Sequence, residues 1–214
     1  MKPTLTIVFA IFLIAGNGVS SASTGLNSLE NFVKTVRSGK AEFTQTVTSP
    51  TRSGEAPRVK DSRGIFEFQR PGKFKFQYRK PFEQLIVADG TNLWVYDADL
   101  NQASQRNQST VFANTPVALI ASAVDLVALR SEFALENAPD QDGLLWVSAK
   151  PKAADSTLRG IRIGFKGEVL RQLDITDNFG QRSVIQFTAM QVNPTIPRQT
   201  FQFTPPAGAE VLKQ

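Results

Sequence analysis

Asp97 and Asp99 stand two residues apart, just after the aromatic-rich stretch Leu93-Trp94-Val95-Tyr96. On an extended chain, residues i and i+2 share a face, so the two carboxylates could divide acid and base duties as they do in secreted glycosidases. The same spacing also suits a turn at a strand end, because Asp side chains bond their own backbone two residues on. Little other chemistry is available. The chain has no His and no Cys, which removes Ser-His-Asp triads, thiol nucleophiles, disulfides and Cys/His zinc sites. Ser-x-x-Lys is absent, and with it the usual Ser/Lys hydrolase cue. Asp97-x-Asp99 and Asp174-x-x-Asp177 offer too few oxygens for a calcium loop. The residue types therefore lead us to expect no metal and no cofactor.

Arg70, Lys73, Lys75, Arg79 and Lys80 interleave with Phe74, Phe76 and Tyr78. Basic and aromatic residues in that mixture can bind single-stranded nucleic acid. The net charge argues otherwise: 24 Lys+Arg against 19 Asp+Glu leaves only +5, spread along the chain. A nucleic-acid partner is not expected. The alternation reads instead as a basic outer face and an apolar inner one.

These residues need elements to position them. Residues 1–22 begin with Met1-Lys2, continue in an apolar run over 5–15, and end in Ser20-Ser21-Ala22. The run is shorter than the roughly 20 residues of a comfortable membrane span, and small residues occupy both recognition positions of a cleavage site. We read 1–22 as a secretory signal peptide cut after Ala22, and 23–214 as a single domain. Leu26, Leu29, Phe32, Val33 and Val36 then recur at helical spacing, with Asn27 and Glu30 in a capping-box pattern and Gly39 as the stop. Ala41, Phe43 and Val47 alternate with polar residues as in a half-buried strand, and 49–63 reads as a long polar loop. Phe66 and Phe68 share a parity, and so do Phe74, Phe76 and Tyr78 beyond the Pro71-Gly72 turn. Residues 84–88 and 93–96 flank Asp89-Gly90, a strong hairpin signal. Further strands are expected near 144–147, 161–165, 170–175 and 183–188, with Phe201 and Phe203 in the tail. The fold class is mainly β, antiparallel, with a few α-helices on one face.

Two apolar features have no chemistry attached. Residues 111–129 follow a Thr115-Pro116 helix start and are apolar nearly all round, with Asp125 the one charge. Such a helix is either sandwiched in the core or a lid over an apolar hollow. The chain also has 16 Phe against 2 Tyr and 2 Trp. A face of Phe, without polar handles, fits either an ordinary core or contact with hydrocarbon.

The motifs resemble those of one family. Gly64-Ile65-Phe66-Glu67-Phe68-Gln69-Arg70-Pro71-Gly72-Lys73-Phe74 is similar to a signature segment of LolA, the periplasmic carrier of outer-membrane lipoproteins. Phe43-Thr44-Gln45, Asp89-Gly90-x-x-Leu93-Trp94-x-Tyr96-Asp97, Asn114-Thr115-Pro116 with Leu119-Ile120, and Phe201-x-Phe203-x-Pro205-Pro206-x-Gly208 resemble further family segments, in the same order. The resemblance implies an incomplete, half-closed antiparallel β-barrel with a helical lid over its hollow, in the periplasm of a Gram-negative bacterium. It implies a chaperone, not an enzyme, that holds acyl chains of lipoproteins released by an inner-membrane ABC-type complex and delivers them to an outer-membrane receptor. It places Arg70 as a latch on lid backbone and Phe74 at the hand-off of cargo. The lipid-binding cavity would be lined by Phe43, Phe66, Phe68, Phe74, Phe76, Tyr78, Leu119 and Ile120. A monomer is expected. Two other classes fit the residues: a lipid- or lipoprotein-sensing domain of a periplasmic regulator, and a secreted hydrolase working through Asp97 and Asp99.

Overall fold

Alternating apolar and polar residues dominate the chain, and most of it is strand. The computed structural model describes residues 23–50, 56–111 and 125–213. A helix, α1 (Gly25–Thr35), leads into β1 (Ser38–Ser49), β2 (Arg58–Gln69), β3 (Lys73–Lys80), β4 (Gln84–Ala88), β5 (Asn92–Asp97) and β6 (Gln102–Asn107). One helical turn, α2 (Gln108–Val111), precedes the undescribed stretch, and α3 (Leu126–Glu132) follows it. Then come β7 (Phe133–Gln141), β8 (Leu144–Pro151), β9 (Leu158–Lys166), β10 (Val169–Asp177), β11 (Arg182–Val192), a short 3-10 turn (Arg198–Phe201) and β12 (Glu210–Lys213).

The strands form one 12-stranded sheet in the order β12-β6-β5-β4-β3-β2-β1-β11-β10-β9-β8-β7. Neighbours are antiparallel except β12 and β6, which run parallel. The outermost strands, β12 and β7, do not pair with each other. The sheet curls without closing: side chains of β3 and β4 line the same cavity as side chains of β9, β10 and β11. This is the expected half-closed barrel.

Register sorts the side chains. Ala41, Phe66, Phe76 and Ile86 lie in one cross-strand row, and Phe187, Phe43, Gly64 and Tyr78 in another on the same face. On that face α1 buries Leu29, Phe32, Val33 and Val36, spaced at three to four residues as an amphipathic helix requires. Phe32 packs against Phe68 and Phe165.

Several local expectations change. The N-cap of α1 is Thr24, whose Oγ1 accepts from the Asn27 N–H. Glu30 instead pairs with Lys34 one turn on, an exposed contact of small value. Gly39 does not stop the helix; it lies inside β1, where a Cβ would stand 2.2 Å from the Phe68 ring. Close approach, not φ, demands glycine there. The expected loop over 49–63 is shorter, because β2 begins at Arg58 and pairs Ser49 with Arg58. Backbone pairing to β1 holds that polar half-strand, and the Thr46 hydroxyl donates to Asp61 across it at 2.7 Å.

The apolar run over 111–129 is also divided. Asp125 caps α3, its Oδ1 accepting from Ala128 N at 2.8 Å, so 126–129 belong to a helix that starts afresh. Leu129 is buried in the core, but Val127 is 75% exposed. The rest of the run, 112–124, and the expected signal peptide lie outside the described residues. Among the described residues, no helix is long and apolar enough to cross a membrane.

The chain after β11 covers part of the other face. Trp94 and Tyr96 alternate with Val95 and so point away from the row of Phe76 and Ile86. Phe203 packs on both, at ring separations of 5.4 and 5.6 Å. Phe201 is buried beside it.

Candidate functional site

Phe74, Phe76 and Tyr78 share the inner face of β3, as strand parity predicts. Lys73, Lys75 and Gln77 take the other face, where they are half-buried rather than fully solvated. The inner aromatics form a continuous cluster. Phe76 stands 4.5 Å from Phe66, and Phe43 meets Phe76 and Tyr78 edge-on at 5.2 and 5.1 Å. Phe66 also stacks on Phe68 and packs against Phe187.

A cavity of about 460 Å³ opens beside this cluster. Phe74, Phe76, Tyr78 and Ile86 form one wall; Leu158, Ile175 and Ile185 form the other. Phe43, Phe66 and Phe68 are not on its wall. They are at most 2% exposed and lie behind it, packed against α1 and β11. All six aromatics share the inner face, but depth divides them into wall and core. The second wall escaped the sequence reading, as did Phe179. That side chain sits in the turn between β10 and β11, borders the cavity, and is 78% exposed. An aromatic in an Asp-Asn-Phe-Gly turn was the available signal.

Tyr78 and Gln45 mark the polar edge of the cavity. Tyr78 Oη donates to Gln45 Oε1 at 2.8 Å, and Gln45 Nε2 donates to Ser183 Oγ at 2.7 Å. Burial pushes the Tyr78 hydroxyl up to about 12. Asp97 lies near this edge, and its Oδ1 accepts from Leu100 N at 3.1 Å. Asp99 is exposed in the same turn. That geometry favours the turn reading of the two aspartates over an acid/base pair. No group of acidic residues among the described residues could hold a metal.

Arg70 follows β2 and reaches the end of α1. Its Nη1 donates to the carbonyls of Phe32, at 3.1 Å, Val33 and Val36. These carbonyls close the C-terminal end of α1, where few intrahelical donors remain; Phe32 O also accepts from the N–H of Val36, the cap residue, at 3.0 Å. The guanidinium also lies 5.0 Å from the Phe32 ring and 5.5 Å from the Phe68 ring. Burial, with a smaller push from Arg37, lowers its pKa to about 10, so it stays charged at neutral pH.

The model of the family described as "Outer membrane lipoprotein carrier protein LolA" matches residues 34–204. The chain belongs to the LolA family. The outer-membrane lipoprotein carrier protein of Albidiferax ferrireducens is 55% identical over 210 residues, covering 96% of this chain and 99% of that one. Its counterpart in Leptothrix cholodnii is 44% identical over 215 residues, covering 100% and 98%. The solved structure of a LolA superfamily protein from Nitrosomonas europaea covers 85% of this chain and 99% of its own, at 10% identity and a TM-score of 0.46.

Two of the LolA-like segments reach the cavity or support its wall: Phe43 and Gln45 come from the first, and Phe66, Phe68 and Phe74 from the second. In this LolA-family chain the described backbone partners of Arg70 are on α1. The carbonyls near 117–121, expected as its partners, lie outside the described residues, as do Leu119 and Ile120.

Proposed function

We propose that this chain is a periplasmic chaperone that carries acylated lipoproteins. It receives them from an inner-membrane ABC-type release complex and hands them, as a monomer, to an outer-membrane receptor. Residues 1–22 act as the signal peptide, and 23–214 form the single carrier domain. Phe74, Phe76 and Tyr78 contact acyl chains directly; Phe43, Phe66 and Phe68 hold that wall in place. Leu119 and Ile120 complete the lining from the lid, and Arg70 latches the helical cover. The role needs no catalytic group and no cofactor.

The supporting observation is the apolar cavity between the β3–β4 wall and the β9–β11 wall, in a LolA-family chain. Physics gives it a use. Each buried methylene is worth roughly 0.8 kcal/mol, so a multiply acylated protein is held out of water by something on the order of 30 kcal/mol. Such cargo cannot cross an aqueous compartment unaided, and a carrier need only offer apolar surface that opens.

Purification of the full-length protein from periplasmic extract, followed by mass spectrometry, tests the reading. Acylated protein should co-purify, and the carrier should begin at Ser23. A preparation free of acylated protein, from cells overproducing a lipoprotein, would overturn it.

A further inference from the structure

Two cavities meet at Gln45 and Tyr78. The apolar one, about 460 Å³, lies toward Phe74, Phe76 and Ile185. The other, about 300 Å³, is lined by Lys60, Ser62, Gln84 and Asp97 as well as by Pro81 and Phe82. Gln45 and Tyr78 border both. They therefore stand where an apolar chamber gives way to a polar one.

Their hydrogen bonds leave donors over. Tyr78 gives its one O–H to Gln45 Oε1. Gln45 Nε2 carries two N–H groups, and one goes to Ser183 Oγ. Ser183 accepts that bond, so its own O–H is still available. One amide N–H at the boundary and one hydroxyl on the neighbouring wall of the apolar chamber thus remain, with Tyr78 fixing which way the amide faces. Half-buried donors in an apolar setting favour an acceptor.

Acyl chains on a glyceryl-cysteine are joined through ester and amide carbonyls, which accept and do not donate. We propose that Gln45 and Ser183 form a subsite for these linkage carbonyls, with Tyr78 as the positioning residue, so that the hydrocarbon lies in the apolar chamber and the peptide leaves through the polar one. This rests on the carrier reading above and adds a site that recognises the linkage rather than the chain. Its consequence is selectivity for ester-linked lipid over an ether-linked analogue of equal length, which lacks the carbonyls.

The test measures binding of two synthetic lipopeptides, one with a diester-linked diacylglyceryl-cysteine and one with the diether. The wild-type protein should prefer the diester by about three- to tenfold, the value of one neutral hydrogen bond. Gln45→Met and Ser183→Ala should each shrink that ratio toward one. Tyr78→Phe, which adds or removes no donor toward the ligand, should reduce the ratio by freeing the amide to turn. A matched diester and diether phosphatidylglycerol pair distinguishes the sources. Ester preference in the lipopeptides alone assigns the subsite to lipoprotein, and preference in both pairs assigns it to diacyl esters generally. Equal affinity of the wild type for both lipopeptides, or an unchanged ratio in Gln45→Met and Ser183→Ala, overturns the subsite and leaves the carrier reading intact. Failure of both lipopeptides to bind overturns the carrier reading and the subsite with it.

Discussion

Arg70 holds Phe32 at two points. Its guanidinium lies 5.0 Å from the centre of the Phe32 ring, and its Nη1 donates to the Phe32 carbonyl at 3.1 Å. The bend after β2 is thereby fastened to the carbonyl end of α1, where a cation is also favoured by the helix dipole. Only the arginine fork, with donors on a planar face, can stack on the ring and bond several carbonyls together.

Arg70→Leu should therefore destabilise the fold by roughly 1.5–3 kcal/mol, the worth of a charged hydrogen bond, as read by urea unfolding. Arg70→Lys should fall between it and the wild type. With the proposed latch lost, Arg70→Leu should still take up acylated cargo but retain it when the purified receptor is added. Transfer as complete as that of the wild type would leave Arg70 as a structural clamp on α1 and nothing more.

The buried and exposed phenylalanines should separate stability from binding. Phe66 is fully enclosed, so Phe66→Ala should cost about 3–5 kcal/mol. Phe179 is 78% exposed at the cavity border, so Phe179→Ser should change stability by no more than about 0.5 kcal/mol. The same Phe179→Ser variant should bind a fluorescent acyl probe more weakly. Unchanged probe affinity would place Phe179 outside the path of the cargo.

Gly64 lies at the register shift between β2 and β3, where an added Cβ would stand 1.9 Å from the Gln77 carbonyl oxygen. That atom is backbone and cannot swing aside. Gly64→Ala should cost about 1–3 kcal/mol through displaced strands, measured by thermal melting. A melting temperature equal to that of the wild type would show that the β2–β3 pairing yields more easily than close packing allows.

Tyr78 gives the protein an alkaline limb. Its hydroxyl is raised from an ordinary value near 10 to about 12 by burial. The folded state therefore keeps a proton that the unfolded state gives up between those values. The contribution is complete below pH 10 and is lost as pH rises toward 12, by up to roughly 2–3 kcal/mol. Tyr78→Phe lacks this titration, so its stability should fall less steeply over that interval. Parallel slopes for the two proteins in urea melts at stepped pH would contradict the assignment.

Local rules reached far in this chain. The parity of Phe74, Phe76 and Tyr78 assigned the inner face because alternation is a property of the extended backbone itself. Asp89-Gly90 marked a hairpin, and Asp89 Oδ1 accepts from both Thr91 N and Asn92 N at 2.7 Å in that turn. Helical spacing found α1, although its cap is Thr24 and not Asn27. The motif segments, in their order, pointed to the LolA family. Strands without alternation stayed hidden: β6 reads Gln-Ala-Ser-Gln-Arg-Asn, and the polar first half of β2 looks like loop. A backbone ladder supplied by neighbours stabilises both, and no side-chain pattern records it.

The sequence by itself determined the elements that carry an apolar pattern, the shared face of Phe74, Phe76 and Tyr78, and the family. Only the tertiary structure decided which aromatics wall the cavity and which fill the core. Depth depends on curvature: β3 and β9 are five places apart in the sheet, and they share a cavity because the sheet curls. The contact of Arg70 with α1 follows the same rule. That helix carbonyls would hold a buried guanidinium follows from chemistry, but that α1 supplies them depends on where the curled sheet sets that helix down. Spacing along the chain cannot encode a contact made by folding a face back onto itself.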